Sequence, residues 1–233
     1  ILLSLLPLSH AVERSMGYYA LLMAGGIICY SRGTEFFAED VLEIRPNIGV
    51  FVPRVFEKVY NGIQAKVATA PAGKQKLFNR AVAVGKEAAP YFMANRKLPF
   101  MLGLKYKLFD KLIFSKLKET MGFERTRVFG AAGAPLLPEI HDFFWGLNMQ
   151  IRKGYGLTET SPVLNVDGDP SIMPIKSNGW ITPFPGALLK IAEDGEILAK
   201  GPGIMLGYLN MPEQTREMFT EDGWLKTGDI GVL

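Results

Sequence analysis

The chain is expected to be an α/β protein, with a mostly parallel sheet covered by helices followed by a small antiparallel β-barrel-like subdomain. Three observations predict this. Short apolar runs alternate with helical segments through the first two thirds of the 233 residues, as in a sheet whose strands are joined by helical crossovers. Near Asp167 the texture changes to short runs, with Asp194-Gly195 joining two of them, a strong hairpin signal. Finally, 48% apolar and 21% charged residues are ordinary for a folded chain and exclude a disordered one.

Taken in order, Ile1 to Leu6 reads as a buried strand and His10 to Ala24 as a helix that stops at Gly25-Gly26, where glycine ends helices. A strand from Ile27 to Tyr30, a short helix from Glu39 to Ile44 and a strand from Gly49 to Val52 follow. Pro53 opens a helix that continues past Ile63, because proline fits a first helical turn. Arg127 to Phe129 is a strand, Pro138 to Leu147 a helix, and Met149 to Arg152 a strand that delivers a turn at Gly154-Tyr155-Gly156. Leu188 to Ala192 and Glu196 to Ala199 form the hairpin, and one helix lies near Pro212 to Phe219. The expected division is therefore an α/β part over 1–166, with a helical basic insertion at about 58–120, and an antiparallel part over 167–233.

Charge is unevenly placed. The net charge is only +3, yet residues 58 to 118 carry eleven Lys and two Arg against Glu87 and Asp110. Aromatic and aliphatic residues are interleaved with these charges from Leu98 to Phe114, as in an interfacial helix. The segment is expected to touch an anionic membrane surface, the alternative being a packed helical insertion with a solvated basic face. Nucleic acid is not expected as a partner, since no binding motif accompanies the charge. The apolar run from Ile1 to Leu8 is too short to span a bilayer. Cys29, the single cysteine, has no internal partner, which fits a reducing, cytoplasmic compartment, and the basic segment adds the expectation of peripheral contact with the cytoplasmic face of a membrane.

The residues with most chemistry lie in Gly154 to Val163 and Thr227-Gly228-Asp229. Glycines on both sides of Tyr155 let the backbone turn sharply near a flat ligand, and the Tyr155 ring can stack on a purine. Thr158 offers a hydroxyl to phosphate. Glu159 offers a hard oxygen to magnesium, which takes only one or two protein carboxylates when it is shared with phosphates. Asp229 can accept both hydroxyls of a ribose. Read alone, Gly154-Tyr155-Gly156 is a glycine-rich turn before a capped helix, and only the combination with the other residues points to a ligand. Gly130-Ala131-Ala132-Gly133-Ala134-Pro135, likewise, is either a tight packed turn or a surface on which a ligand can lie. His141 sits among aromatic residues and Trp224 beside a turn, and both are read as structural. No His/Cys/Asp cluster has transition-metal spacing, and no Ser-His-Asp set is suggested.

With these residues in view, the chain resembles the adenylate-forming superfamily and, within it, the long-chain acyl-CoA synthetases. Gly154 to Val163 is similar to their adenine-binding motif; Gly201 to Asn210 and Asp222 to Gly231 are similar to their second nucleotide motif. Leu6-Pro7-Leu8-Ser9-His10-Ala11-Val12-Glu13-Arg14 and Val52 to Val59 resemble segments of the long-chain branch. The resemblance implies a fatty acid:CoA ligase using ATP, CoA, a long-chain fatty acid and Mg2+. It implies that Gly133, Ala134 and Pro135 face Tyr155 across adenine, with Gly154 and Gly156 shaping the turn. Thr158 would meet phosphate, Glu159 magnesium and Asp229 ribose. His10, Gly130 and Leu157 would flank the acyl carboxylate. Lys153 stands where related sequences carry an acidic or amide residue. No Ser/Thr/Gly-rich phosphate loop and no C-terminal lysine domain can be read in the chain, so it is expected to be an internal part of a longer enzyme and inactive alone. Two alternatives stay open, a fatty acyl-AMP ligase loading a carrier protein and a noncatalytic, membrane-associated acyl-binding module.

Overall fold

The computed structural model describes residues 1–167 and 182–232. Residues 168–181 and 233 of the expected antiparallel part therefore lie outside the described residues. The chain opens with β1 (Leu2–Ser4), a π-helical stretch Glu13–Tyr19 running into α1 (Ala20–Met23), β2 (Ile28–Tyr30), α2 (Phe37–Ile44) and β3 (Ile48–Phe51). A long helical excursion follows, with α3 (Pro53–Ala68), α4 (Ala72–Met93), α5 (Phe100–Phe109), a second π-helical stretch Asp110–Phe114 and α6 (Ser115–Met121). Then come β4 (Val128–Ala131), α7 (Pro138–Gly146), β5 (Gln150–Tyr155), β6 (Asn165–Val166) and β7 (Thr182–Pro183). The final portion contains β8 (Leu188–Ile191), β9 (Glu196–Lys200), α8 (Pro212–Glu217) and β10 (Leu225–Ile230).

The strands make a seven-stranded sheet ordered β2-β1-β3-β4-β5-β6-β7 and a three-stranded sheet ordered β10-β9-β8. β2, β1, β3, β4 and β5 run parallel; β6 and β7 join antiparallel. The α/β class and the antiparallel sheet agree with the sequence reading. One local expectation is corrected: Gly154 and Tyr155 are not in a turn but end β5, where they pair with Val166 and Asn165. The reason is that β6 comes back antiparallel and satisfies their backbone groups, a long-range pairing that local glycine content does not reveal. The chain turns only after them, through the 3-10 turn Thr158–Thr160.

Pleat alternation divides the core between two faces. Leu3, Phe51, Phe129 and Ile151 join Phe37 and Val41 of α2, Phe56 and Ile63 of α3, Phe78 and Ala81 of α4 and Phe143 and Phe144 of α7 in one buried cluster. Neighbouring Leu2 and Ser4 are also buried, and Ser4 approaches Glu13 of the first π-helical stretch. The first helix therefore covers the face opposite α2, α3 and α7.

The basic insertion is part of this core. Gly85 of α4 and Gly146 of α7 put the two helix backbones in contact, since a Cβ added at Gly146 would stand 2.8 Å from the Gly85 carbonyl carbon. The Tyr106 phenol of α5 donates to the Gly146 carbonyl at 3.0 Å. α5 buries Leu102 and Tyr106 but leaves Phe100, Met101, Leu104 and Leu108 exposed, Phe100 at 84%.

Candidate nucleotide site

Two neighbouring parallel strands present their carboxyl ends together, where ligands bind in open α/β sheets. β4 pairs with β5 through Ala131 and Lys153, so the exposed turn Gly133-Ala134-Pro135 and the half-buried Tyr155 leave the sheet side by side. Gly133 has φ +90°, a left-handed conformation that favours glycine. Gly130, at the end of β4, packs on Val50, which a Cβ would meet at 3.4 Å.

After β5 the chain is locked into a tight loop. A side chain at Gly156 would collide with the carbonyl of Pro162, so glycine is required there by the chain's own backbone. At Gly154 a Cβ would meet Ala132 at 3.7 Å and the Asn165 carbonyl at 3.9 Å, both ordinary contacts. Buried Thr160 closes the loop: its hydroxyl accepts from the Leu157 N–H at 2.8 Å and lies 2.9 and 3.2 Å from the Leu157 and Pro162 carbonyls. This holds Thr158 at the surface and half-exposes Glu159.

The antiparallel portion then reaches back to these elements. The Tyr155 phenol donates to Asp229 Oδ2 at 2.8 Å. Asp229 is placed by Thr227, whose hydroxyl accepts from the Asp229 N–H and donates to the Ile197 carbonyl, with Gly228 between them at φ +75°. Burial, reinforced by the Asp229 hydrogen bond and opposed by the Thr227 hydroxyl, pushes the Tyr155 phenol up to about 12. A second tie joins Tyr208, whose phenol donates to Glu159 Oε1 at 2.7 Å, and the Met205 N–H donates to the Glu159 carbonyl. That carboxylate raises the Tyr208 phenol above its ordinary range. Tyr208 lies in the segment Gly201 to Asn210, but sequence reasoning gave it no role, because nothing local says which carboxylate it meets.

Asp167 was also missed. Its Oδ2 accepts from the Lys153 N–H at 2.7 Å while its own N–H donates to the Lys153 carbonyl, so it clamps β5 just before Gly154. Burial raises its carboxyl, with the Lys153 backbone bond opposing. Burial lowers the Lys153 ammonium, against Asp167 and Asp142.

The structure brings together Tyr155 and Asp229, and sets Glu159 and Thr158 on the loop that follows Tyr155. Leu157 lies at the start of that loop. His10 lies where the sequence reading began the first helix. β1 ends at Ser4, and His10 stands at the start of the following helix, where its Nδ1 accepts the Val12 N–H at 3.2 Å. It keeps the carboxyl-end side of β1, but its ring nitrogen serves as a helix cap. Glu13, buried close behind it, has a carboxyl raised by desolvation, and a side chain at Gly17 would collide with it. This crowding falls in the π-helical stretch, a form concentrated at functional sites. His141 is buried with its Nε2 accepting from Trp145, and Trp224 lies under Lys190 and Lys200; both are structural.

The sequence model of the family described as AMP-binding enzyme matches residues 1–209. A long-chain-fatty-acid--CoA ligase of Mycobacterium bovis, FadD15, is 35% identical over 100% of this chain and 37% of its own length. Long chain acyl-CoA synthetase 7, peroxisomal, of Arabidopsis thaliana is 34% identical over 99% of this chain and 33% of its own. The A domain of a carboxylic acid reductase from Segniliparus rugosus, solved with AMP and a co-purified carboxylic acid, superposes with a TM-score of 0.66. It is 25% identical, over 99% of this chain and 32% of that one. The chain thus spans about a third of the length of these relatives. The alternating sheet, the loop after β5 and the family match over most of the sequence agree: the chain belongs to the AMP-binding enzyme family.

Proposed function

We propose that the full-length protein is a long-chain fatty acid:CoA ligase whose nucleotide site is built by Gly133, Ala134, Pro135, Gly154 to Glu159 and Asp229. The observation that carries this reading is the convergence of Tyr155 and Asp229 beside the carboxyl ends of β4 and β5. A flat aromatic plate and an acceptor-only carboxylate at hydrogen-bond distance suit the two halves of a nucleoside.

In the reaction, a fatty carboxylate oxygen attacks the α-phosphorus of ATP, the bond to the β-phosphate oxygen breaks, and pyrophosphate leaves. The CoA thiol, deprotonated, then adds to the acyl carbonyl of the adenylate and AMP leaves with the bonding pair. Such chemistry asks for placed charge rather than a protein nucleophile. Tyr155 and the turn 133–135 would sandwich adenine, Asp229 would accept the ribose hydroxyls, and Thr158 would donate to phosphate. Glu159, its carboxylate oriented by Tyr208, would hold the magnesium that arrives with ATP. One carboxylate beside one hydroxyl fits an ion that keeps its waters and its phosphate ligands. His10, Gly130 and Leu157 would border the acyl carboxylate.

The deciding experiment is pyrophosphate release by the full-length protein across a fatty acid series, followed by thioester analysis with CoA or a carrier protein as acceptor. Release without acyl-CoA would favour the acyl-AMP ligase, and no release would favour the noncatalytic module.

A second reading concerns location. Phe100, Met101, Leu104 and Leu108 stay exposed along α5 among Lys105, Lys107 and Lys111, and we assign this face to an anionic membrane surface. Each engaged lysine contributes roughly 1 kcal/mol. Two other lysines of the insertion, Lys86 and Lys118, are instead paired with Glu139 and Asp110. Sedimentation with vesicles at low and high salt tests this; binding indifferent to anionic lipid and to salt would end it. Among the described residues no helix is long and apolar enough to cross a membrane.

A further inference from the structure

On the sheet face away from the first helix, α2, α3, α4, the π-helical stretch Asp110–Phe114 and α6 enclose a cleft of about 780 Å3. That volume lies within the roughly 300–1,000 Å3 of sites that take one small ligand. Its floor is apolar, made by the buried side chains of Phe37, Val41, Ile63, Phe78 and Phe123. Its rim is basic. Lys58 and Lys66 of α3, Lys74 of α4 and Lys116 of α6 line it, all exposed, with Glu35 the one carboxylate in the lining among the described residues. None of these four lysines makes an ion pair among the described residues, in contrast to Lys86 and Lys118. Long lysine stems can cover apolar walls while their ammonium groups stay at the mouth.

We propose that this cleft binds one long-chain fatty carboxylate, at a site separate from the nucleotide motifs. An apolar floor under a rim of like charge calls for a ligand with a hydrocarbon tail and an anionic head, and the volume accommodates a single chain. No residue of the candidate nucleotide site lines the cleft. Position 62 marks the entrance: Lys58, Gly62 and Lys66 recur every four residues and so share one face of α3. A Cβ at Gly62 would meet nothing within 4 Å. Glycine there leaves open a space that any larger side chain would fill, although it disfavours the helix.

The test counts saturable palmitate sites on the full-length protein by equilibrium binding, with ATP-dependent pyrophosphate release and thermal stability followed in parallel. Gly62→Leu is expected to abolish one palmitate site while leaving pyrophosphate release and stability intact. The double variant K58E/K66E is expected to weaken the same site by about tenfold. A cation with the same sixteen-carbon tail, hexadecyltrimethylammonium, is expected not to compete. An unchanged site count in Gly62→Leu overturns the proposal, as does equal competition by the cation. Loss of stability in Gly62→Leu also overturns it, since the cleft would then be filled by another part of the full-length chain. Because release is read separately, failure here leaves the ligase reading standing.

Discussion

The phenol of Tyr155 and the carboxylate of Asp229, 74 residues apart, share a 2.8 Å hydrogen bond that ties the end of β5 to β10. The parallel sheet and the small antiparallel sheet therefore meet at the two side chains with the clearest nucleoside chemistry. Asp229 is exposed, so one lone-pair side of its carboxylate is occupied while the other remains accessible to a ribose.

From this contact the two partners are expected to differ. Tyr155→Phe keeps the ring and removes one hydrogen bond, worth about 1 kcal/mol, so KM for ATP should rise less than about tenfold. Asp229→Ala or Glu159→Ala removes a charged partner of the bound nucleotide and should lower kcat/KM by about 100-fold. Pyrophosphate release at limiting ATP measures both; wild-type rates in the two carboxylate variants would show that the site is misassigned.

Alkaline titration should reveal the same tie. The folded Tyr155 phenol stands at about 12, above its ordinary value of about 10. A raised value means that its stabilising share is complete below about pH 10 and is lost as the pH rises through about 12. The tyrosinate absorbance of the wild type minus that of Tyr155→Phe should therefore develop late. A difference already complete near pH 10 would mean that Tyr155 is neither buried nor bonded.

Acid should act on a different pair. Asp40 accepts from the Ser31 hydroxyl at 2.7 Å and from Arg32, and these bonds, the Ser31 one foremost, hold its carboxyl below the ordinary range. A depressed value contributes stability above about pH 4 that is lost as pH falls through the folded value. Asp40→Asn should lower Tm at neutral pH, and the gap should close in acid. A pH-independent gap would assign the effect to packing alone.

Helix packing gives a further prediction. Gly146 faces the Gly85 backbone, so Gly146→Ala must push α4 and α7 apart, at a cost of about 1–3 kcal/mol. Gly62→Ala, which enters open space, should instead gain up to about 1 kcal/mol from helix propensity. Denaturant unfolding of the two variants distinguishes them, and equal effects would contradict the close approach.

Local sequence determined a great deal. Alternating apolar runs, Pro53 and Pro138 at helix starts and the Asp194-Gly195 hairpin report on neighbouring residues, and the elements formed within a few positions of where they were expected. The segments that carry the family resemblance were likewise legible, because each is a contiguous run. Tertiary structure alone decided what joins residues far apart. β6 pairing turned Gly154 and Tyr155 into strand, and Glu159 met Tyr208 across 49 residues. The basic insertion shows the division most clearly. Its charge was evident from composition, but only the close approach of Gly85 and Gly146 made α4 part of the core, and only the packing of four helices opened a cleft beneath its lysines. Periodicity says which face of a helix is apolar; which neighbour covers that face, or leaves it bare, depends on contacts between distant segments that no local pattern encodes.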